Sequence, residues 1–205
     1  MPSTVNPAPA ATDVLVLVAH PALEQSRGNR RLMQAIRQVD PASARVAVRD
    51  LYALYPDYLI DVNTERTLLA AARLVVWQHP VHWYGMPPLM KLWLDEVLGF
   101  GWAYGPGGHA LAGKQLWLVA TTGSPADAYH PSGHNRCVFD AFLPPYEQTA
   151  TLCGMRFLEP LLVHGAHRIS DAELSRLART DPPRRMSGMP RSRDGTSARW
   201  GSGHR

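Results

Sequence analysis

Cysteine is scarce in this chain. Its 205 residues contain only Cys137 and Cys153, no CxxC pair is present, and two thiols cannot make a disulfide framework. A reducing compartment is the expectation. Long apolar runs are also missing. The longest near the start, Val14 to Ala19, is far short of a membrane span. No basic-then-apolar leader opens the sequence, so it is expected to stay in the cytoplasm. There is no internal repeat. No GxxxxGK[ST] is present, which disfavours a P-loop nucleotidase, and no GxSxG elbow surrounds Ser124, which leaves a serine hydrolase without support.

A basic face is absent as well, although the isoelectric point of 9.3 suggests one. Residues 181–205 hold six arginines and two aspartates, a balance of +4 that equals the net charge of the whole chain. The basicity therefore belongs to a tail, the rest of the chain is neutral, and nucleic acid is not an expected partner. His79 and His82 are three apart, as are His164 and His167, but no further ligands at matching spacing complete a set, so no metal is expected.

Hydrophobic residues make up 45% of the chain, enough for one globular domain. Residues 1–12, rich in Pro and Ala, are expected to be a disordered lead-in, residues 13–180 the domain, and residues 181–205 a disordered basic tail. Within the domain, Val14 to Val18 suits a strand buried on both faces. Leu32, Ala35, Ile36 and Val39 fall at helical spacing, and Arg45 to Val48 makes a short strand. Thr64 to Ala72 predicts a helix and Leu74 to Trp77 a strand. Pro87-Pro88 opens another helix, with a buried stripe of Leu89, Leu92, Trp93 and Val97. Leu116 to Ala120 is a strand. A helical stretch from about Arg136 to Cys153 is interrupted at Pro144-Pro145 and stopped at Gly154. A fifth strand, bent at Pro160, runs from Phe157 to Val163. Ser170 to Glu173 has the capping-box pattern of a last helix. The alternation predicts an α/β fold with a five-stranded parallel sheet and helices on both faces.

In such sheets ligands bind beyond the carboxyl ends of the strands. That rule selects three loops. The first holds His20, Ser26, Arg27, Gly28 and Asn29 ahead of a helix, where free N–H groups and the helix dipole favour a phosphate; Ser26 can equally be a plain helix cap. The second, His79 to Pro88, offers the aromatic faces of Trp83 and Tyr84 and backbone near Gly85 to a flat heterocycle, although the aromatic pair can also be core. The third, Thr121-Thr122-Gly123-Ser124, can bind the polar rim of a ring or be an ordinary turn; Tyr129 and His134 follow it. Gly105 to Ala110 fits GxGxxA on paper but follows no apolar strand, and is expected to be a surface loop.

Taken together, the HP…S…N segment, Asp50-Leu51-Tyr52, HPVHWYGMPPLMKLWLDEV, GWAYG and TTG resemble the NAD(P)H:quinone oxidoreductase family. Tyr52 to Asp57 narrows the likeness to its branch of ancillary subunits of the glutathione-regulated potassium-efflux system. The likeness runs from about Val14 to Ala178. It implies a flavodoxin-like fold, a homodimer, and FMN rather than FAD. It further implies two-electron hydride transfer from NADH or NADPH through flavin N5 to a quinone. His20, Ser26, Arg27, Gly28 and Asn29 would hold the phosphate and ribityl chain; Val81, His82, Trp83 and Tyr84 the ring; Thr121, Thr122, Gly123 and Ser124 its polar edge. Tyr129 and His134 would face the substrate as catalytic residues, His134 one residue short of the family spacing. The family usually has Gln where His82 stands and Gly where Ser124 stands. A regulatory role at the inner membrane face, on a potassium-efflux antiporter, and an azo- or nitro-reductase activity are the alternatives.

Overall fold

The computed structural model describes residues 12–38, 42 and 44–178. The expected lead-in and tail, apart from Thr12, lie outside the described residues, as does Val39 of the first helical stripe.

Five strand positions form one parallel sheet. β3 (Leu74–Pro80) is central, flanked by β1 (Val14–Val18) and β4 (Gln115–Thr121), with β2 (Val46–Asp50) at the edge beyond β1. The register aligns Val14 with Val46 and Leu74, and Pro80 with Thr121. The fifth position is divided. β5 (Arg156–Phe157) pairs with one half of β4 and β6 (Leu161–Val163) with the other. The break falls at Pro160, whose ring removes the N–H that a continuous ladder needs. The exposed carbonyl of Glu159 beside it accepts from Trp117 Nε1 at 3.1 Å. The five-stranded expectation is borne out, with its last strand interrupted.

Every residue of β1, β3 and β4 is buried, because helices cover both faces. Val14, Val16, Val76 and Val119 point to one face. They pack there on α1 (Arg27–Arg37), through Leu32, Met33 and Ile36, and on Leu174 of α6 (Asp171–Ala178). Leu15, Leu17, Val75, Trp77 and Leu118 point to the other. That side is closed by Leu51 of α2 (Leu51–Leu54), Leu69 of α3 (Val62–Ala71), Trp93 of α4 (Pro88–Val97) and Tyr146 of α5 (Pro144–Leu152). Burial of side chains of this size contributes about 1.5–3 kcal/mol each.

Two local outcomes differ from expectation. Pro144 and Pro145 do not interrupt a helix; they occupy the first turn of α5, where a missing N–H leaves nothing unpaired. The residues before them form only a 3-10 turn, Phe139–Phe142. α2 was not foreseen: Asp50 caps four residues by accepting from Ala53 N–H at 3.3 Å. The stop at Gly154 holds. Its φ of +69° lets Met155 N–H reach Ala150 O at 2.8 Å and its own N–H reach Thr151 O at 3.0 Å, a Schellman close.

Candidate functional site

Because the strands are parallel and in register, their carboxyl ends lie side by side. Ala19 N–H donates to Gln78 O at 2.9 Å, and Val81 N–H to Thr121 O at 2.7 Å. The three predicted loops therefore leave the sheet as neighbours. They enclose a cavity of about 430 Å³. It is lined by His20, Ser26, Arg27, Gly28 and Asn29 from the first loop, Val81 and His82 from the second, and Thr121, Thr122 and Gly123 from the third.

The head of α1 is built as its residue types predict. Ser26 is the cap, accepting from Asn29 N–H at 3.2 Å. Arg30 N–H takes Ser26 O at 3.2 Å, so Arg27 and Gly28 carry first-turn N–H groups with no intrahelical acceptor, at the positive end of the helix dipole. Asn29 is buried and ties the first loop to the third: its Nδ2 donates to Thr121 Oγ1 at 2.8 Å, while Gln78 Nε2 donates to Asn29 O at 2.8 Å. Asn29 Oδ1 is left without a partner in the structure. Arg27 is directed elsewhere. Its guanidinium donates to Ile169 O and to the Asp171 carboxylate, both at 2.6 Å, which pulls Asp171 below the usual carboxylate range.

Both threonine hydroxyls of the third loop are committed internally. Thr121 receives Asn29, and Thr122 donates to Ser124 O at 2.7 Å and faces His164 Nδ1 at 3.0 Å. Because the Thr122 proton goes to Ser124 O, we assign His164 as the donor to Thr122 Oγ1. The loop thus presents backbone and Gly123 to the cavity.

On the second loop, Trp83 and Tyr84 do not line the cavity. Both have positive φ, +50° and +65°, at the centre of a hairpin turn in which His82 and Gly85 exchange N–H···O bonds of 3.0 Å. That is the pattern of a type I′ turn, a conformation bulky residues adopt at a cost of order 1–3 kcal/mol each. Trp83 is 95% exposed. Tyr84 stacks on Phe142 at 5.2 Å; Phe142 lies 6.4 Å from Tyr129, and Tyr129 lies 5.1 Å from both Phe139 and His164. A wall of rings so joins Tyr84 and Tyr129, two residues the sequence pointed to separately. Ser124 lies outside the cavity lining, and His134 is exposed and takes no part in the wall.

His20 and His82 meet edge to face at 6.4 Å across the cavity. His20 Nδ1 accepts from Ala22 N–H at 3.1 Å, which leaves Nε2 as its protonated nitrogen. Burial first, and then His82, push the His20 pKa below the usual histidine value.

A fourth loop, not foreseen, follows β6. Ala166 and His167 line the cavity. Gly165 N–H to Ser124 O and Ala166 N–H to Thr122 O, both 2.9 Å, bind this loop to the third. Gly28 lets this loop approach closely, since a Cβ there would lie 3.2 Å from Ala166 Cβ. The signal available in the sequence was position alone: His164 to His167 begin where a strand ends.

A larger cavity of about 610 Å³ lies between α5 and the divided fifth strand. Three carboxylates, Asp140, Glu147 and Glu159, border it, so it is poorly suited to an anion. Among the described residues no helix is long and apolar enough to cross a membrane.

Residues 12–180 match the family model described as the flavodoxin-like fold. Over 166 residues the chain is 46% identical to the glutathione-regulated potassium-efflux system ancillary protein KefG of Pectobacterium carotovorum subsp. carotovorum, covering 81% of this chain and 88% of that protein. Among solved structures it is similar to a chain described as a thermophilic tryptophan halogenase from Streptomycin violaceusniger, with 36% identity and a TM-score of 0.77 over 86% of this chain and 99% of that one. It is also similar to general stress protein 14 of Treponema denticola in complex with FMN, with 38% identity and a TM-score of 0.73 over 82% and 92%. An NADPH-quinone reductase from P. pentosaceus gives 27% identity and a TM-score of 0.72 over 82% and 94%. These names carry different activities, so the reaction has to be argued from the site. The sheet order, the loops gathered at its carboxyl end and the match over 12–180 agree: the chain belongs to the flavodoxin-like fold family.

Proposed function

We propose that this chain is an FMN-dependent NAD(P)H:quinone oxidoreductase. The observation that carries the reading is the convergence of three strand-end loops and the head of α1 on one cavity of about 430 Å³, within the usual size of a cofactor pocket. The residues present fit the group. The N–H groups of Arg27 and Gly28 suit a phosphate, and the unpartnered Asn29 Oδ1 suits a hydroxyl of the ribityl chain. Val81, His82 and Gly123 line the part of the cavity where the ring would lie. When bound, FMN supplies two-electron hydride chemistry between nicotinamide and quinone.

The chain's own groups do the rest. Tyr129, joined to Tyr84 through Phe142, would give a hydrogen bond or proton to the quinone oxygen; what supports this is its contact with His164, which in turn meets Thr122 of the third loop. With FMN added, the full chain should oxidise NADH or NADPH when quinone is present. Tyr129→Phe should lower kcat by about 10²-fold, the small end of general-acid effects, while flavin content stays constant. No quinone-dependent oxidation by the FMN-loaded chain would contradict the reading. Faster turnover with an azo acceptor than with any quinone would move the assignment to azoreductase.

The likeness to KefG supports a second role that can coexist with the first: peripheral binding at the inner membrane face to a potassium-efflux antiporter. Co-purification with a many-helix transporter encoded beside it would support this role. Failure to associate with that transporter in membranes would count against it.

A further inference from the structure

Two arginines near the head of α1 are engaged elsewhere. Arg27 is held by Ile169 O and Asp171, and Arg30 faces Glu24 at 3.9 Å and does not line the cavity. What the cavity has instead is imidazole. His20, His82 and His167 all line it, each from a different loop.

Of these, His167 has a particular position. Its loop is pinned to the third by the Gly165 and Ala166 N–H bonds, and to α1 by the close approach of Ala166 to Gly28. Its ring reaches the third loop as well, since a Cβ on Gly123 would lie 3.4 Å from His167 Cε1. Arg27 and Asp171 latch the far end of the same segment. His167, an exposed side chain on this tethered loop, thus lines the same cavity as Arg27 and Gly28, whose first-turn N–H groups have no intrahelical acceptor. An imidazole N–H can donate to a phosphate oxygen whether the ring is neutral or charged.

We infer that His167 is a binding residue, donating a ring N–H to a phosphate monoester held at the head of α1. The inference rests on the FMN reading, and the monoester is taken to be the flavin's own phosphate. It adds to the cradle a side chain from the fourth loop, and makes this loop part of the cofactor site rather than a connection to α6.

FMN and riboflavin differ only by the phosphate, so their dissociation constants separate the two claims. Measured on the full chain, FMN should bind more tightly than riboflavin. His167→Ala should weaken FMN by about tenfold, as loss of one hydrogen bond to a charged group does, and leave riboflavin unchanged. His167→Gln, which keeps an N–H donor, should recover part of the loss. Equal weakening of both flavins, or no change in either, would overturn the inference while leaving the FMN reading intact. A change confined to KM for NADPH against NADH would also overturn it, by placing the phosphate on the nicotinamide cofactor. A wild-type chain that binds neither flavin would overturn both.

Discussion

At Glu65 a carboxylate lies fully buried between α3 and α4. Oε1 accepts from Arg49 Nε at 3.0 Å and Tyr55 OH at 2.6 Å, and Oε2 from Trp93 Nε1 at 3.1 Å. One residue so joins β2, the segment after α2, and α4. Replacing it with Ala would strand a half-buried guanidinium and two donors; the expected loss is about 3–5 kcal/mol in urea unfolding. A loss under 1 kcal/mol would show that the network relaxes into water. His79 is a second buried polar group, stacked on Tyr146 at 5.7 Å, with Nδ1 2.9 Å from Pro80 O. Burial lowers its pKa to about 4. The unfolded chain therefore takes a proton near pH 6.5 that the folded chain refuses until about pH 4. Stability contributed by neutral His79 is complete above pH 6.5 and declines as pH falls through that window. His79→Gln should unfold with a shallower dependence on pH between 7 and 4 than the parent; parallel curves would contradict the assignment. Glu65 did not stand out in the sequence, and His79 did so only as half of a histidine pair, because a polar side chain that finds its partners far along the chain leaves no local pattern.

At the level of elements, periodicity and turn chemistry were enough for most of the fold. The apolar runs became β1, β3 and β4, Pro87-Pro88 opened α4, and Gly154 closed α5. What local pattern missed were pieces decided by a single cap or a single lost N–H: α2 behind Asp50, and the division at Pro160. The second loop was legible as a feature but not as a shape. An exposed Trp-Tyr pair with positive φ cannot be told from core aromatics by composition. Trp83→Asn, which suits the left-handed region, should stabilise the isolated chain by about 0.5–1 kcal/mol in thermal unfolding. Destabilisation by more than 1 kcal/mol would mean that Trp83 is packed in solution, as it would be in a homodimer.

Across the whole molecule, the location of the site followed from topology: a parallel sheet gathers its loops at one end, so three loops far apart in sequence were placed together in advance. The roles of individual side chains were less accessible. Thr121, Thr122 and Arg27 turn out to brace the loops, and the fourth loop emerged only once the divided fifth strand had set where it begins. The cavity of about 430 Å³ holds helix N–H groups and imidazoles where the cavity of about 610 Å³ has carboxylates, which favours the first as the flavin site. A crystal structure of the chain grown with FMN tests this directly. The expected result is one flavin with its phosphate at Arg27 and Gly28 and its ring beside Val81, His82 and Gly123. Flavin bound between Asp140, Glu147 and Glu159, or a crystal with no flavin in the smaller cavity, would contradict it.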